Sequence, residues 1–208
     1  MWHSPLNHIG YVVPPKSGSS TFKRVAELTD RIVQSSMYTP RNGVYSVVRN
    51  PAHRLVSTYF FTLKLPERRG KHLPEKIRTP FRAVVVPFVQ SFGEPSLDLN
   101  HFQQYCHRVV PSARASGEGH YRSQHSFQIP SVPVLEYWPT EHLSAAIQTH
   151  FGIVVRRYQN SSNVRQSNPA AYTEFCEHPT VRHWSERLYE EDWGLYEKAC
   201  GDWQFRNK

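Results

Sequence analysis

Residues 11–21 read YVVPPKSGSST, a short apolar run, two prolines, a lysine, and a glycine set among hydroxyl residues. The wider run HIGYVVP, residues 8–14, is apolar and β-branched and ends at prolines, which predicts a buried strand running into a loop. From Ser20 onward Phe22, Val25, Thr29, Ile32 and Val33 recur at helical spacing, predicting an amphipathic helix to about Ser36. A loop between a buried strand and a helix aims backbone N–H groups and the positive end of the helix dipole at whatever lies above it. An anion fits there. Gly18 lets backbone approach closely, Ser19, Ser20 and Thr21 add hydroxyl donors, and Lys16 adds a full positive charge.

The magnesium NTPase spelling G-x-x-x-x-G-K-[ST] is absent, because Lys16 precedes the glycine. A lysine at the mouth of such a loop suits stabilisation of a leaving phosphate oxygen without a metal.

A second unit follows the same plan. GVYSVVR, residues 43–49, reads as a strand, Asn50-Pro51 as an N-cap and first turn, and Leu55, Val56, Tyr59, Phe60 and Leu63 as the apolar face of a helix. Alternating βα units predict an α/β fold with a parallel sheet covered by helices. The stretch from Pro66 to Ser131 is less regular, with one helix predicted over Asn100 to Val109. VPVLEYW, residues 132–138, reads as a third strand leading through Thr140 as N-cap into a helix that Gly152 ends, and GIVVRRY, 152–158, as a further strand. Asn168-Pro169 repeats the cap signal, and Thr180 to Ala199 reads as helix stopped by Gly201. The whole of 1–208 is read as one domain.

Composition narrows the partners. With 38% hydrophobic residues and 13% aromatics the chain is too apolar to remain disordered. Lys plus Arg outnumber Asp plus Glu by 25 to 17, a formal charge of +8 that attracts anions generally. The basic residues are dispersed, and the one cluster, KLPERRGKHLPEKIR at 64–78, is interrupted by Glu67 and Glu75, so it reads as a solvated face. Three distant cysteines spell neither a disulfide framework nor a zinc site, and the twelve histidines show no metal spacing, so no metal is expected. The sequence contains no signal peptide pattern and no apolar run of membrane-spanning length, which predicts a soluble, cytoplasmic protein.

Two elements taken together carry a resemblance: PKSGSST at 15–21, and RNPAHRLVSTY at 49–59 with Arg49, Pro51, Arg54, Ser57 and Tyr59. The chain resembles the sulfotransferases that use 3′-phosphoadenosine 5′-phosphosulfate (PAPS), and looks closest to the membrane-type carbohydrate sulfotransferases. GHYRSQ, 119–124, looks like the H-[WY]-x-x-Q signature of chondroitin and dermatan-type members; VLEYWPTEHLSAAI and RLYEEDWGLYEKA are similar to further family segments. The resemblance implies a P-loop NTPase-like three-layer fold with a central parallel sheet and a helical C-terminal part. It implies that Lys16 neutralises charge on the bridging oxygen while Ser17, Gly18, Ser19, Ser20 and Thr21 cradle the 5′-phosphate and Arg49 and Ser57 grip the 3′-phosphate. Arg54 reads as a structural ion pair on its helix. The product would be 3′-phosphoadenosine 5′-phosphate (PAP) and the acceptor a hydroxyl, expected on a glycan; nucleic acid is not expected.

Sulfuryl transfer also needs a base on the attacking side. His120 stands first, with His125, His53 and Glu27 as alternatives. Asn160 and Arg165 are expected in a loop that closes over the nucleotide, and Tyr189, Asp192 and Tyr196 in a helix face packed on the domain. Two rivals remain: a metal-dependent nucleotide kinase on a related fold, and a basic anion- or nucleic-acid-binding module without catalysis. Those relatives carry a membrane anchor and usually disulfides, so a shorter chain lacking both fits a bacterial or viral enzyme.

Overall fold

The computed structural model describes residues 1–29, 32–35, 38–64, 75–155 and 163–206, and the chain folds as two compact units. The first comprises Met1–Pro51, Ser123–Ser161 and Tyr189–Lys208, and the second Ala52–Arg122 and Ser162–Leu188.

The first unit holds a five-stranded sheet of order β3-β1-β2-β4-β5, built from β1 (Trp2–Ser4), β2 (Ile9–Val12), β3 (Val33–Gln34), β4 (Val44–Val48) and β5 (Val134–Pro139). β2, β4 and β5 run parallel, as the βα alternation predicts. β1 runs antiparallel to both β2 and β3, so the sheet is mixed, a correction to the all-parallel expectation. The physical reason is a hairpin: Trp2 pairs with Tyr11, His3 with Gly10 and Ser4 with Ile9, and three residues are too few to display a period of two.

Helix α1 (Ser19–Thr29) stops well short of Ser36, because Val33 and Gln34 pair with β1 instead. It buries Thr21, Phe22, Val25 and Ala26. Phe22, Val25 and Ala26 share a core with Tyr11, Val47 and Trp138 of the sheet and with Leu143, Ala146 and Ile147 of α6 (Leu143–Phe151). Burying a side chain the size of Phe22 contributes about 1.5–3 kcal/mol. Gly152 ends α6 at φ 71° as expected. Thr140, expected as an N-cap, instead donates its hydroxyl to the Val48 carbonyl at 3.0 Å, tying β5's exit to the end of β4.

The C-terminal helical tail is two helices, α9 (Pro179–Leu188) and α10 (Glu190–Arg206). The Tyr189 carbonyl starts the second by accepting from Asp192 and Trp193. Gly201 does not stop α10. A mid-helix glycine costs about 1 kcal/mol, and the buried face of Trp193, Leu195 and Ala199 outweighs it.

The second unit is helical: α2 (Pro51–Leu63), α3 (Glu75–Phe92), α4 (Leu99–Arg108), α5 (Val110–Ala115), α7 (Asn163–Ser167), α8 (Pro169–Glu177) and α9. Its buried aromatics include Tyr59, Phe102, Tyr105, Tyr121 and Phe175. α3 lies in the stretch that reads as irregular, because Pro80 and Pro87 sit inside it. Asn168 caps α8 as expected, its side chain accepting from Ala171 N–H at 3.2 Å. Residues 152–155 form no strand, and the rest of GIVVRRY, the charged cluster through Pro74, and Asn160 lie outside the described residues; Arg165 is in α7. Among the described residues no helix is long and apolar enough to cross a membrane.

One core contact titrates. Tyr11 Oη lies 3.1 Å from His150 Nε2, and the ring stands edge-on to Tyr45 at 4.5 Å. Burial, then the neighbouring Tyr45, raises the Tyr11 phenol, so it stays protonated. Burial lowers the His150 pKa, opposed in part by Glu136. A lowered folded value means that stability is fully present above the unfolded histidine value, about 6.5, and is lost as the pH falls below it. Urea midpoints measured from pH 7 to pH 5 should therefore decline, and His150→Gln should flatten that decline; an equal slope in the variant would remove His150 from the account.

Candidate functional site

The opening loop of the first unit is built from two backbone reversals. Pro14 to Ser17 form a turn in which Ser17 N–H donates to the Pro14 carbonyl at 3.0 Å. Pro15 supplies the fixed φ of the second turn position, and Lys16 occupies the third at φ 67°, the arrangement of a type II turn that ordinarily takes glycine there. Gly18 follows at φ 90°, and its carbonyl accepts from Phe22 N–H at 2.9 Å, the first bond of α1. A Cβ on Gly18 would lie 2.5 Å from Cδ2 of Leu143, which is wholly buried and has no room to swing away. The sign of φ thus alternates from Lys16 through Ser17 to Gly18. The chain thus reverses twice before entering α1. Lys16 is held in a conformation costing a non-glycine residue about 1–3 kcal/mol.

The second loop leaves β4 at Arg49, which is 9% exposed. Its Nη1 donates to the Lys16 carbonyl at 2.7 Å, so the guanidinium stands beside the first loop. The two elements that the sequence singled out are therefore in direct contact.

A residue that sequence reasoning quoted but gave no role joins them. Gln124, wholly buried, accepts at Oε1 from Ser17 Oγ at 2.8 Å and from Arg49 N–H at 2.9 Å, and donates from Nε2 to the Arg49 carbonyl at 2.8 Å. Ser17 is likewise wholly buried, so its hydroxyl faces the protein, not a ligand, and its part in the loop is anchorage. Asp192 on α10 steadies the same segment from below. Its Oδ1 accepts from Ser123 Oγ at 2.6 Å and from His125 N–H at 3.0 Å, the residues on either side of Gln124. Of the expected helix face of Tyr189, Asp192 and Tyr196, Asp192 is buried and Tyr196 half-buried on α10, while the buried Tyr189 lies just before that helix. The only signals for Gln124 and Asp192 in the sequence were the GHYRSQ and terminal-helix likenesses, which carry no partner information.

Ser19 and Ser20 open α1 half-buried, and Thr21 is buried in its first turn. Glu27 is exposed on that helix and pairs with Arg24 at 3.3 Å. His125 is exposed.

Ser57, Arg54 and His120 belong to the second unit. Ser57 and His53 are half-buried on α2. Arg54 is 1% exposed, and its Nη2 donates to the Arg122 carbonyl at 2.7 Å and to the His120 carbonyl at 3.3 Å. These two bonds tie α2 to the segment at residues 120–122, a structural role. Tyr59 Oη donates to the Ser96 carbonyl at 3.0 Å, accepts from Ser96 N–H at 3.1 Å, and lies 2.6 Å from His101 Nδ1, holding the segment before α4. His120 is gripped twice by the buried Glu118. Its N–H donates to Oε2 at 2.9 Å and its Nδ1 lies 2.6 Å from Oε1, while the ring stacks on Phe61 at 4.7 Å. A carboxylate accepting at Nδ1 sets the tautomer and leaves Nε2 as the ring's acceptor atom.

Comparison of the chain with protein-family models, with curated proteins and with solved structures found no match.

Proposed function

We propose that the chain is a sulfotransferase that moves a sulfuryl group from PAPS to a hydroxyl acceptor, taken to be a carbohydrate hydroxyl. The observation that supports this most is the contact between the loops, Arg49 Nη1 on the Lys16 carbonyl at 2.7 Å. A nucleotide phosphorylated at both 3′ and 5′ positions needs two anion-holding groups at one fixed spacing. A glycine-containing loop at a helix N-terminus and an arginine locked beside it supply that chemistry.

In this reading PAPS, when bound, supplies a sulfuryl group already activated by its link to phosphate. The Gly18 loop and the first turn of α1 hold the 5′-phosphate, and Arg49 holds the 3′-phosphate. The Lys16 ammonium neutralises charge that grows on the bridging oxygen, a role that needs no metal. Within the second unit, Glu118 holds the His120 ring at Nδ1 and leaves Nε2 as an acceptor, the arrangement a general base requires.

Calorimetric titration with PAP tests the reading, with ATP plus magnesium as comparison. Micromolar or tighter PAP binding is expected, weakened at least about tenfold in Arg49→Ala, since a hydrogen bond to a charged group contributes about 1.5–3 kcal/mol. Equal binding by the variant would remove Arg49 from the site. An absence of PAP binding combined with salt-sensitive polyanion binding would favour the non-catalytic module.

A further inference from the structure

Gln124 uses its amide on both loops at once. Its two-point pairing with the Arg49 N–H and carbonyl extends the end of β4 as a neighbouring strand would, and the same Oε1 takes the Ser17 hydroxyl. Arg49 Nη1 on the Lys16 carbonyl then closes a ring of contacts running Ser17, Gln124, Arg49, Lys16. All of it is buried or nearly so, and Asp192 clamps both neighbours of Gln124. Glutamine presents an acceptor and a donor side by side on one planar amide. Glutamate would set an acceptor against the Arg49 carbonyl, and asparagine is one methylene too short to span both loops.

We infer that Gln124 is the positioning residue that sets the spacing between the 5′-phosphate loop and the 3′-phosphate arginine, so that a doubly phosphorylated nucleotide meets both as one preformed site. The inference rests on the function proposed above. It distinguishes two kinds of lesion. Loss of Ser17's hydroxyl loosens only the first loop, whereas loss of the Gln124 amide releases both.

The test titrates the full chain with PAP, adenosine 5′-phosphate and adenosine 3′-phosphate, and follows amide hydrogen exchange by NMR without nucleotide. Gln124→Leu is expected to weaken all three nucleotides by about tenfold each, the effect of losing one such interaction. Ser17→Ala is expected to weaken PAP and the 5′-phosphate while leaving the 3′-phosphate within about twofold. In the same Gln124→Leu protein the Ser17 and Arg49 amides should exchange at least about tenfold faster while the interior amides of β4 keep their protection. Unchanged exchange at Ser17 and Arg49, or weakening of only one mononucleotide, overturns the inference. Wild-type protein that binds no PAP, with exchange behaving as expected, overturns the sulfotransferase reading and keeps Gln124 as the pin between the loops. Should Gln124→Leu not fold, Gln124→Asn retains the amide but not its reach, and the same two outcomes apply to it.

Discussion

Under the function proposed above, Lys16→Gly should lose sulfuryl transfer by about 10²–10³, the usual effect of deleting one charge-stabilising donor, without losing stability. Glycine relieves a left-handed backbone that costs an L-residue about 1–2 kcal/mol, offset by roughly 0.5–1 kcal/mol for the greater freedom of glycine in the unfolded chain. At φ 67°, Lys16 sits where glycine is the better fit to the turn. The two effects therefore part company in one variant, which a Lys16→Ala substitution would not achieve. Transfer of radiolabelled sulfate from PAPS to a mixture of desulfated glycosaminoglycans reads the first, and urea denaturation the second. A Lys16→Gly protein that kept its transfer rate would reduce Lys16 to a turn residue.

Arg54→Met should show the opposite pattern. The guanidinium is almost wholly enclosed and its Nη2 serves the carbonyls of His120 and Arg122. Methionine fills much of the volume and leaves both carbonyls without that donor. The expected loss is about 3 kcal/mol, read as a lower urea midpoint, with the PAP dissociation constant of the folded protein within about threefold of wild type. If stability held and PAP binding disappeared, Arg54 would move from scaffold to nucleotide site. The motif places Arg54 one helical turn after Arg49's loop, and that spacing alone does not tell the two roles apart. Its burial argues for the scaffold.

These two residues also show where the sequence was legible. The strand, loop and helix at 9–29 and the strand and helix at 44–63 could be read because each is announced locally, by a β-branched run, by prolines, and by an apolar face at helical spacing. β1 was not legible, since Trp2, His3 and Ser4 gain their meaning only from pairing with Ile9 to Tyr11. α3 was hidden by Pro80 and Pro87, a case of tertiary packing overriding propensity. The left-handed backbone at Gly18 was legible in its residue type, but the strain at Lys16 was not. Residue type at position 124 does not reveal that its amide will meet Ser17, because the two lie 107 positions apart.

That separation has a consequence for how the protein is made. The first unit is interrupted twice, by Ala52–Arg122 and by Ser162–Leu188, and its contacts at Gln124 join segments 75 and 107 residues apart. Ordering so much chain before such contacts can form slows folding and delays the long-range pairs. A nascent chain that has reached only residue 122 holds both anion loops in its sequence and none of the amide that joins them. Clamping by Asp192 comes later still, when α10 emerges. The contacts among Ser17, Gln124 and Arg49 are thus among the last parts of the molecule to become organised, and amide protection at Ser17 and Arg49 would separate chains that have finished folding from those that have not.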